Sequence, residues 1–236
     1  MSPQIVHHSS FSPTDVKYGD LYKNKMGGKS VYLSYNDQKK FIIQLPKTRA
    51  PFGLSDFTDQ ASGRTSYSVD VSLDNCDALQ TQLRGLDKLI CKQIAKNSKA
   101  WLGKVHSEAV VTDALYKPIV RDPSDPKYSP TVKLKVMTDP KGNFASRAFD
   151  HKRNEVSINT LEKGQSVQAI AHISQIWIID NKCGVSIRLE QAKLTKTTKL
   201  KAYAFLPESD DEGGSGDDEE AEEAEEEEEE VFDEEH

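Results

Sequence analysis

The last 29 residues exclude themselves from any core. Segment 208–236 holds 19 of the 38 acidic residues and none of the 31 Lys and Arg. Carboxylates at that density repel one another and have little apolar surface to bury with them, so a disordered, solvated tail is expected. Whatever folds must lie in residues 1–207, where 31 basic residues face 19 acidic ones, a formal +12 hidden inside an overall charge of −7. A cationic body joined to a polyanion suits a molecule whose partner is itself a polyanion.

The body is long enough for one ordinary domain and short for two. Residues 1–29 mix Ser, Pro, His and Lys without a sustained period and read as a flexible N-terminal arm, with one domain over 30–207 and the tail over 208–236. No apolar run reaches membrane-spanning length, and the first residues lack a basic flank followed by an apolar stretch, so neither a membrane role nor secretion is expected. Three cysteines, Cys76, Cys91 and Cys183, form no C-x-x-C pair and read as reduced thiols of an intracellular protein.

Periodicity changes along the body. Val31–Tyr35 and Lys39–Leu45, split by Asn36-Asp37, read as a hairpin. Tyr67, Val69, Val71 and Leu73 alternate with polar residues as a strand buried on one face. Leu79, Leu83, Leu86, Ile90 and Ile94 then recur at helical steps, with Asp74 or Asn75 as the expected cap, and Glu108–Tyr116 reads as a shorter helix ended by Pro118. Strand patterns return at Val132, Leu134 and Val136, whose alternates include Lys133 and Lys135, and over Val167–Ile179 and Val185–Leu189 as a hairpin. Strands interrupted once by helix point to a mainly β fold: an OB-fold-like Greek-key barrel with an inserted helix, or a β-sandwich packed on one helix.

Catalytic signatures are missing. Gly28-Lys29-Ser30 resembles the end of a phosphate-binding loop, but Lys23 stands where its first glycine belongs and no strand is expected upstream of it. The six histidines have no carboxylate partners at metal-binding spacing, so no metal, no cofactor and no enzymatic activity are expected. The remaining signal is basic residues interleaved with aromatics: Lys133 and Lys135 on one strand face; Phe144, Arg147, Phe149, Lys152 and Arg153 in the following connection; Arg188, Lys193 and Lys196 late in the body. Cations neutralise phosphates while exposed rings stack on unpaired bases without reading them, a combination suited to single-stranded DNA. Phe232 gives the tail a ring that could enter the same site as a competitor. The alternative is an acidic-tail chaperone or scaffold that binds histones or other basic proteins.

Gly27-Gly28-Lys29-Ser30-Val31-Tyr32-Leu33-Ser34-Tyr35, with Gln44-Leu45-Pro46, Pro51-Phe52-Gly53, Trp101-Leu102-Gly103-Lys104, Tyr116-Lys117-Pro118 and Tyr128-Ser129-Pro130, resembles the single-stranded DNA-binding proteins of large eukaryotic DNA viruses. That group is similar to the replication single-stranded DNA-binding protein of short-tailed coliphages. The resemblance implies an OB fold and an acidic tail ending in an aromatic. It also implies a non-catalytic role in replication, repair or recombination, with DNA polymerase or helicase engaged through the tail. Here Phe232 is followed by Asp233-Glu234-Glu235-His236, a departure from a terminal aromatic. Oligomeric state stays open between monomer and homodimer, and the compartment between a host nucleus and a cytoplasmic viral replication site.

Overall fold

The computed structural model describes residues 4–25 and 27–196. The acidic tail and Phe232 lie outside the described residues. In chain order the strands are β1 (Ile5–His7), β2 (Val16–Lys23), β3 (Lys29–Tyr35), β4 (Ile42–Arg49), β5 (Leu54–Thr58), β6 (Thr65–Ser72), β7 (Tyr116–Lys117), β8 (Val120–Arg121), β9 (Thr131–Val136), β10 (Arg147–Phe149), β11 (Glu155–Val156), β12 (Ser166–Ile179) and β13 (Lys182–Leu194). The helices α1 (Asp77–Lys96) and α2 (Ser98–Leu102) fall between β6 and β7, followed by a short helix Glu108–Val110 that continues as a π-turn over Val111–Leu115.

Five strands carry the architecture. β4 pairs with β12, β12 with β13, β13 with β9 and β9 with β6; all are antiparallel except β13 with β9. The circuit returns to β4 where the Thr48 hydroxyl donates to the Ser72 carbonyl at the end of β6. Numbered one to five along the chain, these strands run 1-4-5-3-2-1 around the ring, the strand order of an OB-type barrel. The protein is therefore mainly β, with the long helix inserted between the second and third barrel strands. Alternation explains the interior: Val69, Val71, Val132, Leu134, Val136, Val167, Ala169, Ala171, Ile173, Ile187 and Leu189 all point inward and are buried.

The helix obeys its period. Leu79, Leu83, Leu86, Ile90 and Ile94 are each 3 % exposed or less, and burying such side chains stabilises by about 1.5–3 kcal/mol apiece. Its N-cap is Cys76, which makes no side-chain capping bond, in place of the expected Asp74 or Asn75. Asp87 anchors the helix to the following connection. Its carboxylate accepts from the Tyr116 hydroxyl at 2.6 Å and from the Ile119 N–H at 3.0 Å. Burial pushes the Asp87 carboxyl upward, while the donors of Tyr116, Ile119 and Val120 pull against it.

Two expectations change. β3 and β4 do not form a hairpin with each other; both lie antiparallel on β12, β3 over Gln175–Ile178 and β4 over Ser166–His172, because β12 is long enough to seat two strands end to end. Residues 5–23, read as part of a flexible arm, instead supply β1 and β2, which pair with β4 and β3. Phe11 fixes them: it is 2 % exposed and its ring lies 5.4 Å from Phe41 and 6.0 Å from Tyr35. The segment lacks periodicity because its one buried aromatic sits between short 3-10 turns. Among the described residues no helix is long and apolar enough to cross a membrane.

Chemical denaturation will test both anchors. Phe11→Ala is expected to cost about 3–5 kcal/mol, the range for a buried aromatic and far above that for a loose arm. Asp87→Ala leaves the Tyr116 hydroxyl and the Ile119 N–H buried without an acceptor and is expected to cost about 3 kcal/mol or more.

Candidate nucleic-acid interface

Cross-strand register brings together residues that are far apart in sequence. The outward row Ile42, His172, Arg188, Lys135, Ser68, Ser55 crosses β4, β12, β13, β9, β6 and β5. A second row runs Gln44, Ile170, Gln191, Arg147, and a third Lys47, Gln168, Lys193, Phe149. Partners in a row point to the same side of a sheet, and neighbouring strands lie about 4.8 Å apart, so these rows form one surface.

A bulge makes this surface cationic. Arg188 and Lys193 are five residues apart on β13, an odd spacing that would put them on opposite faces of a regular strand. Between Leu189 and Gln191 the register slips by one residue, so that Leu189, Ala192 and Leu194 remain inward while Arg188, Gln191 and Lys193 face out. Pro46, which lacks an N–H, stands at a similar slip on β4 that keeps both Gln44 and Lys47 outward.

Where β4, β12, β13 and β10 meet, the surface sinks into a trough made of two adjoining hollows, of about 340 and 440 Å³, that share Gln168 and Lys193. Phe149, Arg153, Gln44 and Ile170 line one; Lys47, His151, Thr195 and Lys196 line the other. Among the described residues neither has a carboxylate in its lining. Lys and Arg at its rim, amides on its floor and one ring at its side are groups that hold phosphates and bases together.

Of the residues singled out in sequence, Lys135, Phe149, Arg153, Arg188, Lys193 and Lys196 lie on this face or in its trough. Lys135 is exposed on β9 beside Arg188. Partial desolvation by the sheet, then the charges of Arg188 and Arg121, hold its ammonium below the ordinary lysine value. Lys133 shares the face but is ion-paired to the buried Asp70 at 3.6 Å. Arg147 forms a two-pronged pair with Glu155 at 2.9 and 2.7 Å and lies 5.1 Å from the Phe149 ring centroid, so it orients the ring. Lys152 and Arg153 occupy the Asp150–Asn154 turn, where Arg153 has a φ of 69°. Phe144 is half-buried: it packs edge-on against Tyr67, with ring centroids 5.0 Å apart, at the margin of the core. Phe232 lies outside the described residues.

Sequence reading missed Lys47, Gln44, Gln168, Ile170 and Gln191. Gln168 and Ile170 did show as alternates in an apolar run, but only the pairing of β4 and β10 on either side of the hairpin turns them into a floor. Burial, then the charges of Lys40 and Arg188, push the His172 imidazole below its ordinary value, against the pull of Glu190, whose carboxylate lies 3.4 Å away.

Comparison with known proteins adds the following. A family model described as a family of unknown function (DUF5871) matches residues 60–208. No curated protein matches. Among solved structures the chain is similar to gp2.5, a single-stranded DNA-binding protein encoded by bacteriophage T7, at 16% identity over 73% of this chain and 92% of that one, with a TM-score of 0.45. It is also similar to the single-stranded DNA-binding protein from bacteriophage Enc34 in complex with ssDNA, at 14% identity over 78% of this chain and 94% of that one, TM-score 0.39. A C-terminal truncation of the Enc34 protein gives 14% identity over 78% and 97%, TM-score 0.41.

The Lys135 environment gives a test by lysine side-chain NMR. Its ammonium is expected to titrate below the ordinary value, and Arg188→Ser to move it upward, because removing a neighbouring cation favours the charged form.

Proposed function

We propose that this chain, which belongs to the DUF5871 family, binds single-stranded DNA along the outward barrel face without catalysing a reaction. The observation that carries the reading is the register itself: cations from β4, β9, β13 and the turn after β10 meet on one face around a trough that, among the described residues, no carboxylate lines. Lys47, Lys135, Arg153, Arg188, Lys193 and Lys196 take phosphates, and Phe149 stacks on a base. Gln44, Gln168 and Gln191 supply amides that any base can meet, which favours coating a strand over reading its sequence.

The acidic segment 208–236 acts as an internal competitor in this reading, its carboxylates on the phosphate positions and Phe232 in a base position. Displaced by DNA, it is released to meet basic surfaces of replication proteins such as a polymerase or helicase. This makes the chain a viral replication accessory protein, acting in a host nucleus or a cytoplasmic replication compartment. Charge segregation between body and tail supports this, since neither half alone would need the other.

Titration of a labelled oligonucleotide across salt concentrations is expected to give a log–log slope of about −0.7 per phosphate neutralised, and Lys47→Ala with Lys193→Ala to flatten it by about 1.4. A flat response in the unaltered chain refutes the reading. Deleting 208–236 is expected to tighten DNA binding, most at low salt. A histone-binding scaffold would instead lose its partner with that deletion.

A further inference from the structure

Beyond the trough, the outward side of β12 carries a second feature that sequence patterns did not expose. The row Tyr22, Ser30, Trp177, Gly184, Lys117 crosses β2, β3, β12, β13 and β7. Tyr32, two residues beyond Ser30 on β3, faces the same side, diagonal to Trp177 and about 7–8 Å from it by strand geometry. Tyr22 and Tyr32 are 56 % and 54 % exposed, unusual for rings on a folded sheet. Trp177 lies flat because its neighbours are small. A Cβ on Gly184 would come within 2.8 Å of the indole, so the ring covers that glycine, and the Lys117 ammonium lies over the half-buried ring, 5.9 Å from its centroid.

We infer that these three rings form a separate stacking platform for unpaired bases, on which a strand leaving the trough continues. The inference rests on the single-strand reading above and extends it to a site outside the barrel circuit, on the β2 and β3 sheet. Two observations commit it to nucleic acid. The first is continuity. His172 and Trp177 are five residues apart, yet a register slip between Ile173 and Gln175 keeps Gln175 and Trp177 on the side that Gln168, Ile170 and His172 occupy in the trough. One strand thus presents both the trough and the platform. The second is charge: Lys117 ends the aromatic row, and among the described residues no carboxylate forms an ion pair with it. A ring row that ends in a cation held over the indole and free of any carboxylate ion pair suits bases and their phosphates better than an apolar peptide.

The test uses the full chain and two oligonucleotides, of about 4 and about 16 nucleotides, spanning the range of OB-fold site sizes. Tyr22→Ala with Tyr32→Ala removes only exposed side chains. It is expected to weaken binding of the long strand about ten-fold or more, to leave the short strand unaffected, and to have no effect on an abasic strand of the same length. Tryptophan emission provides a second readout, because Trp101 is 6 % exposed and Trp177 is half-buried on the platform. The long strand is expected to quench emission, and Trp177→Phe to abolish that quenching. Unchanged long-strand affinity in the tyrosine variant overturns the platform while the trough stands. So does a shift in oligomeric state with affinity intact, which would give this face to a second copy. If the unaltered chain binds neither strand, the underlying reading fails and the platform with it.

Discussion

Three of the four ladder pairings in the barrel circuit, β4 with β12, β12 with β13 and β13 with β9, are made by the hairpin of β12 and β13. These strands have 14 and 13 residues, and the turn between them, Asp180-Asn181, places Asp180 at a φ of 52°. Along its length β12 receives β4 and then β3, while β13 receives β10, β9 and β7 in succession. A regular ladder this long would twist steadily, with side chains strictly alternating. The slips at Ile170/Ala171 and Ile173/Gln175 break the alternation, sharpen the twist and let one hairpin belong to the barrel at one end and to the outer sheet at the other.

Those same slips decide which chemistry faces solvent. Lys193 joins Arg188, and Trp177 joins His172, only because an extra residue changes parity between them. Burial on the inner side enforces the register: Leu189, Ala192 and Leu194 on β13 and Ile173, Ile176 and Ile178 on β12 all lie inside. Moving either strand by one residue would expose these side chains, at about 1.5–3 kcal/mol for each large one. The electrostatics of the outer face is thus held in place by packing on the inner face.

Charge on that face is only partly available. Asp70 occupies Lys133 and Glu155 occupies Arg147. Arg147 then steadies the Phe149 ring, a structural use of a cation that composition would count toward binding. Lys135 and Arg188 sit side by side, and among the described residues neither forms an ion pair with a carboxylate, so each raises the cost of the other's charge.

The mainly β class, the helix over residues 77–96, the strand at 131–136 and the closing hairpin were legible in the sequence, because each is written in a local period of two or 3.6 residues that burial reproduces. The cationic character of the body was legible too, since charge is additive and needs no geometry. The ordered N-terminus was not: its hold on the body is β1 and β2 paired to β4 and β3, with Val6, Phe11 and Val16 buried in the core, a set with no local period. Nor was the packing of Phe144 on Tyr67, or the place of Lys47 and the glutamines in a floor. Composition and periodicity therefore determined what kind of sheet this chain makes and the sign of its charge. Tertiary structure alone decided which side chains share a face, because face membership depends on bulges and on pairing between strands more than 100 residues apart, and a single extra residue reverses it.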